Sequence, residues 1–370
     1  MKDVIIVGGG LAGLVNAIVL ARAGLQVVLI EKKQYPFHKV CGEYISNEVL
    51  PFFHSLGIFP EQLGASAINR LQVSSPSGNN VLNMPLDLGG FGISRYTLDH
   101  HLYQIAVKAG VTFILGKTAD NIDFKTHFQV QLSDGTQLES NLVIGAFGKR
   151  SKLDKQLNRD FINKRSPYVG VKYHIQTVFP RDLIALHNFQ DGYCGVCAIE
   201  EGKYNLCYLT SRDNIKRYGS IEEMEKETLY KNPFMQAIRQ NARFLYEKPE
   251  VINEISFSPK KAVENHILMS GDTAGLITPL CGNGMAMAIH SAKILSGLII
   301  LYFKEQWTKE KLEMLYQQQW KQTFATRLWV GRQTQRLFGS EWLSSMAVRI
   351  LKTVKPAARL LVKHTHGEVF

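Results

Sequence analysis

The feature that most constrains this chain lies in its first thirty-one residues. Asp3 to Val7 is a short run rich in β-branched residues, followed at once by Gly8-Gly9-Gly10-Leu11-Ala12-Gly13. Leu14 to Ala23 reads as a small-residue helix that stops at Gly24. Gln26 to Ile30 reads as a second strand, closed by Glu31. Strand, G-x-G-x-x-G, helix, strand and acid in this order predict a βαβ unit that binds an ADP-containing dinucleotide. Gly8 permits the tight strand-to-helix turn, Gly10 lets backbone N–H groups approach a pyrophosphate, and Gly13 lets the helix pack close on the sheet. The helix N-terminus adds free N–H groups and positive dipole. Glu31 stands eighteen residues past Gly13, near the spacing of about 20 at which a carboxylate grips a ribose hydroxyl.

The 370 residues suffice for one or two intimately joined domains. The first strand begins at residue 3, so a signal or transit segment is not expected. The longest apolar run, Ile294 to Phe303, falls short of the roughly 20 residues of a membrane span. A cytoplasmic protein follows, peripheral to a membrane at most. Five cysteines, an odd number, argue against a disulfide framework. Net charge is +11, and +7 of it accrues from Met314 to Phe370, where nine Lys/Arg accompany Glu341 and Glu368. That basic region is either a solvated helical face or a surface for anionic lipid or an acidic acyl-carrier protein. No nucleic-acid partner is expected.

Further along, Ser46 is placed as the N-cap of a helix to Leu56, and Thr97 as the cap of one ending at Gly110. Leu71 to Ser75 and Val81 to Met84 read as a hairpin, as do the segments flanking Ser133-Asp134-Gly135-Thr136. Val111 to Leu115 and Leu142 to Ala146 read as buried parallel strands. From Pro167 the texture becomes antiparallel, with strands at Tyr168 to Gln176, Cys194 to Ile199 and Tyr204 to Thr210, the last two joined by a turn at Glu200 to Lys203. Ser220 to Asn241 reads as one helix. His266 to Ser270 is an apolar strand that runs into Gly271-Asp272-Thr273-Ala274-Gly275 and then Pro279-Leu280-Cys281-Gly282-Asn283-Gly284-Met285, ahead of a helix to about Lys304. There Asp272 can accept hydrogen bonds from a polyol, and the N–H groups of Gly284 and Met285 can stabilise negative charge. Cys194-x-x-Cys197 is read as structural, because strand residues three apart point to opposite faces. No metal site is expected.

As an ordered set, the fingerprint, Lys39-Val40-Cys41-Gly42-Glu43, Ser94-Arg95 with Leu98-Asp99 and Leu102, Gly145-Ala146-x-Gly148 and the Gly271 to Gly284 segment resemble one family. They are similar to flavoproteins of the para-hydroxybenzoate hydroxylase-type superfamily, in the branch that contains geranylgeranyl reductases. The resemblance covers residues 1 to about 300 and implies FAD as cofactor. It implies Ala12 and Gly13 at the pyrophosphate, Glu31 at the adenosine ribose and Ala119 at the adenine. Cys41 and Gly42 would line the flavin, and Arg95 would meet the phosphate–ribityl region. Asp272 would hold the ribityl chain or pyrophosphate, with Gly284 and Met285 under the pyrimidine edge. Cys41 and Cys281 are thereby placed at one cavity, as candidate catalytic thiols, a candidate disulfide pair, or small residues beside a crowded cofactor.

The resemblance implies an α/β chain, α+β overall. A Rossmann-like FAD-binding domain (1–152 and 255–304, with a hairpin excursion at 70–90) carries an interposed antiparallel substrate sheet (153–254) and a C-terminal helical cap (305–370). Two departures bear on the activity. Phe147 stands where the hydroxylases carry the Asp associated with nicotinamide handling, so the donor is left between NAD(P)H and another carrier. Tyr193 to Ile199 lacks the Trp and Pro of the reductases' Tyr-x-Trp-x-Phe-Pro stretch, so the substrate wall is altered. The expected activity is reduction of carbon–carbon double bonds in an apolar, isoprenoid or carrier-bound polyene substrate by hydride from reduced flavin. The alternative is a monooxygenase acting through a C4a-hydroperoxyflavin.

Overall fold

The computed structural model describes residues 1–163, 166–253, 255–276, 278, 282–337 and 340–370. The opening unit is as expected: β1 (Lys2–Val7), α1 (Leu11–Arg22) and β2 (Val27–Glu31). Then come β3 (Tyr44–Ser46), α2 (Leu50–Ser55), β4 (Ser66–Ser74), β5 (Val81–Gly92), α3 (Arg95–Lys108) and β6 (Thr112–Leu115). A meander of β7 (Ala119–Phe124), β8 (Phe128–Leu132) and β9 (Gln137–Gly145) leads to α4 (Lys152–Gln156). The antiparallel region holds β10 (Tyr168–Gln176), β11 (Leu183–Phe189), β12 (Gly192–Ala198) and β13 (Tyr204–Ser211). Three short helices follow, α5 (Arg212–Tyr218), α6 (Ile221–Glu227) and α7 (Pro233–Asn241), then β14 (Arg243–Phe244) and β15 (Glu250–Asn253). The chain re-enters the first sheet with β16 (Val263–Glu264) and β17 (Ile267–Met269). It finishes in α8 (Gly284–Lys304), α9 (Lys309–Leu337), α10 (Glu341–Thr353) and α11 (Lys355–Thr365).

Two sheets organise these elements. The first has the order β16-β17-β9-β1-β2-β6, with β8 and β7 continuing from the start of β9. Its β17, β9, β1, β2 and β6 are mutually parallel. β2 and the C-terminal halves of β1 and β9 are buried, and α1 packs with α3 and α8. The second sheet runs β14-β10-β13-β12-β11-β4-β5-β3, with β15 beside β10. Alternation in β10 divides its side chains cleanly. Val169, Val171, Tyr173 and Ile175 pack with Met224, Leu229, Met235 and Ile238 under α6 and α7. Lys172 and His174 take the opposite face.

Three local expectations change. The 70–90 hairpin is no excursion of the first domain: β4 pairs in parallel with β11, Leu183 opposite Arg70, and so belongs to the second sheet. A lone hairpin is marginal in water and gains stability from a third strand. β11 itself carried no recognisable pattern. Ser94, rather than Thr97, caps α3 and accepts from the Thr97 N–H. The 220–241 segment is broken by a 3₁₀ turn at Leu229–Lys231 and by Pro233, which starts α7.

Gly13 shows what the fingerprint's spacing protects: a Cβ there would lie 1.9 Å from the Gly8 carbonyl oxygen. Gly13→Ala is therefore expected to destabilise the fold by at least the ~1–3 kcal/mol of an overpacked core, read as a lower urea midpoint.

Candidate active site

The site begins with an alignment of strand ends. Val7 pairs with Ile30 and with Gly145, Glu31 with Leu115, and Gly145 with Met269. The C-terminal ends of five parallel strands therefore share one edge, where open α/β sheets bind ligands. From that edge issue the glycine turn into α1, Glu31, the chain toward Ala119, the Ala146–Gly148 turn and the Gly271–Thr273 turn. Gly116 N–H donates to the Glu31 carbonyl at 2.9 Å. Ala119, buried at the start of β7, lies just beyond.

At α1 the geometry fits a pyrophosphate. Gly8 has φ +107, and a Cβ on it would sit 2.3 Å from the Ala146 oxygen. Gly10 is different: around a Cβ there the nearest atoms are the Arg95 Nη2 and Lys39 Nζ, each at 3.6 Å. Two cations thus flank the open end of α1. They share one buried carboxylate, Asp99, at 2.7 Å and 3.1 Å. Burial works against the Arg95 charge, but Asp99 outweighs it and keeps the guanidinium protonated. Burial lowers the Lys39 ammonium pKa, with Asp99 opposing that, so Arg95 is the charge best placed to face an anion beside the helix N-terminus. Glu31 is 7 % exposed; it accepts the Gly9 N–H at 2.8 Å and the Lys33 N–H at 3.1 Å. A carboxylate offers about four lone-pair sites, so capacity for ribose hydroxyls remains.

The second motif meets the first directly. A Cβ on Gly271 would come within 2.9 Å of the Ala12 Cβ, and Asn16 Nδ2 donates to Ser270 Oγ at 3.2 Å. Asp272 and Gly284 line one narrow cleft with Met287. The Asp272 carboxylate makes no hydrogen bond among the described residues. The first turn of α8, with Gly284 and Met285, leaves its N–H groups without helical partners. Glycines where ligand backbone would press, cations at the helix N-terminus, a held carboxylate and an uncommitted one all suit FAD.

Cys41 is brought to Arg95, whose guanidinium its thiol contacts. Cys281 lies outside the described residues, as do Pro279 and Leu280. Cys194 and Cys197 diverge as expected: the first packs with Tyr208 and Val196 under the helices, while the second reaches the Gly42 oxygen at 3.4 Å.

The residues that sequence reasoning missed hold the 39–43 loop. Glu43 is fully buried, with φ 55. Its carboxylate pairs with Lys172 Nζ at 2.5 Å and His174 Nε2 at 2.6 Å, and accepts the Arg95 N–H at 2.8 Å. Burial alone would push its pKa up; Lys172 and His174 together override that and hold it at about 2. Lys172 also donates to the Lys39 oxygen, and Asn205 Nδ2 to the Cys41 and Gly42 oxygens. Glu200, in the β12–β13 turn, accepts from Ser94 N–H at 2.8 Å and Thr97 Oγ1 at 2.9 Å. The second sheet thereby fixes the N-terminus of α3 and with it Arg95. Lys172 and His174, two ionisable residues two apart in an apolar strand, were the available signal.

Four outcomes are expected. Gly10→Val should fold normally, since nothing lies closer to its Cβ position than the Arg95 and Lys39 tips at 3.6 Å, but retain no flavin absorbance. Glu31→Ala should weaken FAD by about 1.5–3 kcal/mol, a charge-assisted bond's worth, measured by titrating apoprotein. Lys172→Met should cost about 3–5 kcal/mol by stranding a buried charge. Glu43 titrates near 4.5 unfolded and about 2 folded, so its contribution is present above pH 4.5 and lost as pH falls through 2. Wild-type stability should accordingly fall more steeply over that window than that of Glu43→Gln.

The chain is 25% identical over 363 residues to conditioned medium factor receptor 1 of Dictyostelium discoideum, covering 87% of this chain and 68% of that protein. It is 22% identical over 367 residues to digeranylgeranylglycerophospholipid reductase 1 of Methanococcoides burtonii, covering 94% and 87%. Among solved structures, a geranylgeranyl bacteriochlorophyll reductase-like protein of Thermoplasma acidophilum superposes with a TM-score of 0.79 at 17% identity, over 98% of this chain and 96% of that one. The flavin-dependent brominase Bmp2 does so with a TM-score of 0.79 at 15% identity, over 98% and 93%. The family described as FAD binding domain matches residues 1–323; the chain belongs to it and is an FAD-dependent flavoprotein with an oxidoreductase's fold.

Proposed function

We propose that this protein reduces carbon–carbon double bonds in an apolar, isoprenoid-like substrate. The carrying observation is the character of the second sheet on the face it turns to the cofactor loops. Near Glu43 that face is polar, with Lys172, His174 and Asn205 all engaged in holding the 39–43 loop. Away from it the face becomes apolar: Val73, Leu82, Tyr193 and Leu209 cluster with Leu276, which follows Asp272, and with Ala347 and Val348 of α10. An apolar chain bound along that face would meet hydrocarbon rather than water, as its binding requires.

Bound FAD supplies the two-electron redox chemistry. The protein's own part is to hold the cofactor at the strand-end edge, to align an apolar chain along the Tyr193–Leu209 wall, and to supply a proton. Cys41, in the loop between Arg95 and the sheet, is the residue we assign to that proton. The fold hosts oxygen-using chemistry equally well, which makes oxygen the discriminating reagent.

Protein reduced chemically under anaerobic conditions should convert a polyprenyl or polyene substrate to a product two hydrogens heavier per bond, with the flavin reoxidised in step. Cys41→Ala should keep FAD and lose turnover by on the order of the 10²–10⁴-fold that a general acid contributes. Product formation only on admitting oxygen, with oxygen incorporated, would replace the reductase reading by the monooxygenase one. Unchanged turnover in Cys41→Ala would remove the thiol from the proton's path.

A further inference from the structure

Helices α10 and α11 present two unlike faces. Inward, Ala347, Val348 and Ala358 are buried against the apolar end of the second sheet. Outward, α10 exposes Trp342 (69 %), Met346, Ile350 (50 %) and Val354, which caps it. Trp342, Met346 and Ile350 are spaced by four, so they share one stripe. α11 exposes Leu360 (56 %) beside Lys355, Arg359 and Lys363, again spaced by four. With Arg349 and Lys352 this gives five exposed bases against one acid, Glu341, between residues 340 and 363. None of the five makes an ion pair among the described residues. Exposed apolar side chains interleaved with unpaired cations are the composition of a surface that lies in a bilayer interface.

We infer that the outer face of α10 and α11 docks on an anionic lipid bilayer, setting the apolar end of the site against the membrane. The inference deepens the proposed function by naming where an apolar substrate would come from. Charge decides among occupants. A second copy of this chain would set five bases against five bases. An anionic bilayer matches them, accepts the apolar stripe between lipid headgroups, and lets the long Lys and Arg stems extend to phosphates. The chain after α11 returns to the core, where Phe370 N–H donates to the Glu48 oxygen at 3.1 Å. The Phe370 ring stacks on His290 at 3.9 Å. The long apolar helix α8 plays no part in this attachment: 61% of its most apolar window is buried inside the protein.

Sedimentation of the full-length protein with phosphatidylcholine vesicles, with and without phosphatidylglycerol, tests the inference without any turnover. Binding is expected only with the anionic lipid and should weaken at high salt. Arg359→Glu/Lys363→Glu should lower vesicle partitioning by at least about tenfold, since each base near an anionic surface contributes roughly fivefold. Trp342→Ser/Ile350→Ser should lower it comparably, while both double variants keep their flavin absorbance. Equal sedimentation with neutral and anionic vesicles at low salt overturns the inference, as does wild-type partitioning in both variants. Saturable binding of an acidic acyl-carrier protein without vesicle binding overturns it in favour of a protein partner. Loss of vesicle binding with intact reduction of a detergent-dispersed polyene would separate this surface from the activity itself.

Discussion

The structure turns on one buried carboxylate. Glu43 has no contact with water and sits at a positive φ that a side chain rarely adopts. It is tolerated because three groups converge on it: Lys172 and His174 from β10, and the Arg95 amide at the start of α3. An isolated ion in such a place would be costly, and the arrangement holds only while every partner is present. In return it fixes the loop between Lys39 and Glu43 against the second sheet. Tyr246 extends the network by joining His174 to His38 at 2.9 and 3.0 Å. Cofactor-binding residues that belong to the first sheet by sequence are positioned by the second.

The two sheets therefore divide the work. The parallel sheet supplies an edge where five strand ends coincide and where α1 and α8 begin. Its glycines create closeness: Gly8 to Ala146, Gly13 to Gly8, Gly271 to Ala12. The mostly antiparallel sheet supplies alternation. One face of β10, β12 and β13 is committed to a hydrophobic core with α6 and α7. The opposite face grades from charged to apolar across a few strands. The charged end anchors the loop and α3, and the apolar end lies under α10. A single sheet thus holds the 39–43 loop at one end and packs against α10 at the other.

The C-terminal helices pack on that apolar end. Their inner residues are small, Ala347 and Ala358, so the helices approach closely. Their outer residues are large, apolar and basic. Placement of the basic charge at this end of the molecule gives the net charge of +11 a direction, toward the apolar end of the site.

Much was legible before any coordinates. The βαβ unit, Glu31 at its end, the strand running into Gly271-Asp272 and the helix from Gly284 all rest on signals within some thirty residues. Turn glycines, apolar runs and caps act locally, so sequence reports them. The opposite faces of Cys194 and Cys197 followed from the strand period alone. What escaped was set by pairing across long separations. Leu183 meets Arg70 across more than a hundred residues, which moved the 70–90 hairpin into the other sheet. Glu200 caps a helix more than a hundred residues before it, and Lys172 finds Glu43 across 129. Nothing local to Glu43 reveals whether its charge will face water or a buried lysine. The sequence by itself determined which nucleotide-binding unit would form, because hydrogen bonding and sterics of neighbouring residues dictate it. Only the tertiary structure decided how that unit's loops are held and which wall faces them, because burial and charge pairing depend on what the rest of the chain brings alongside.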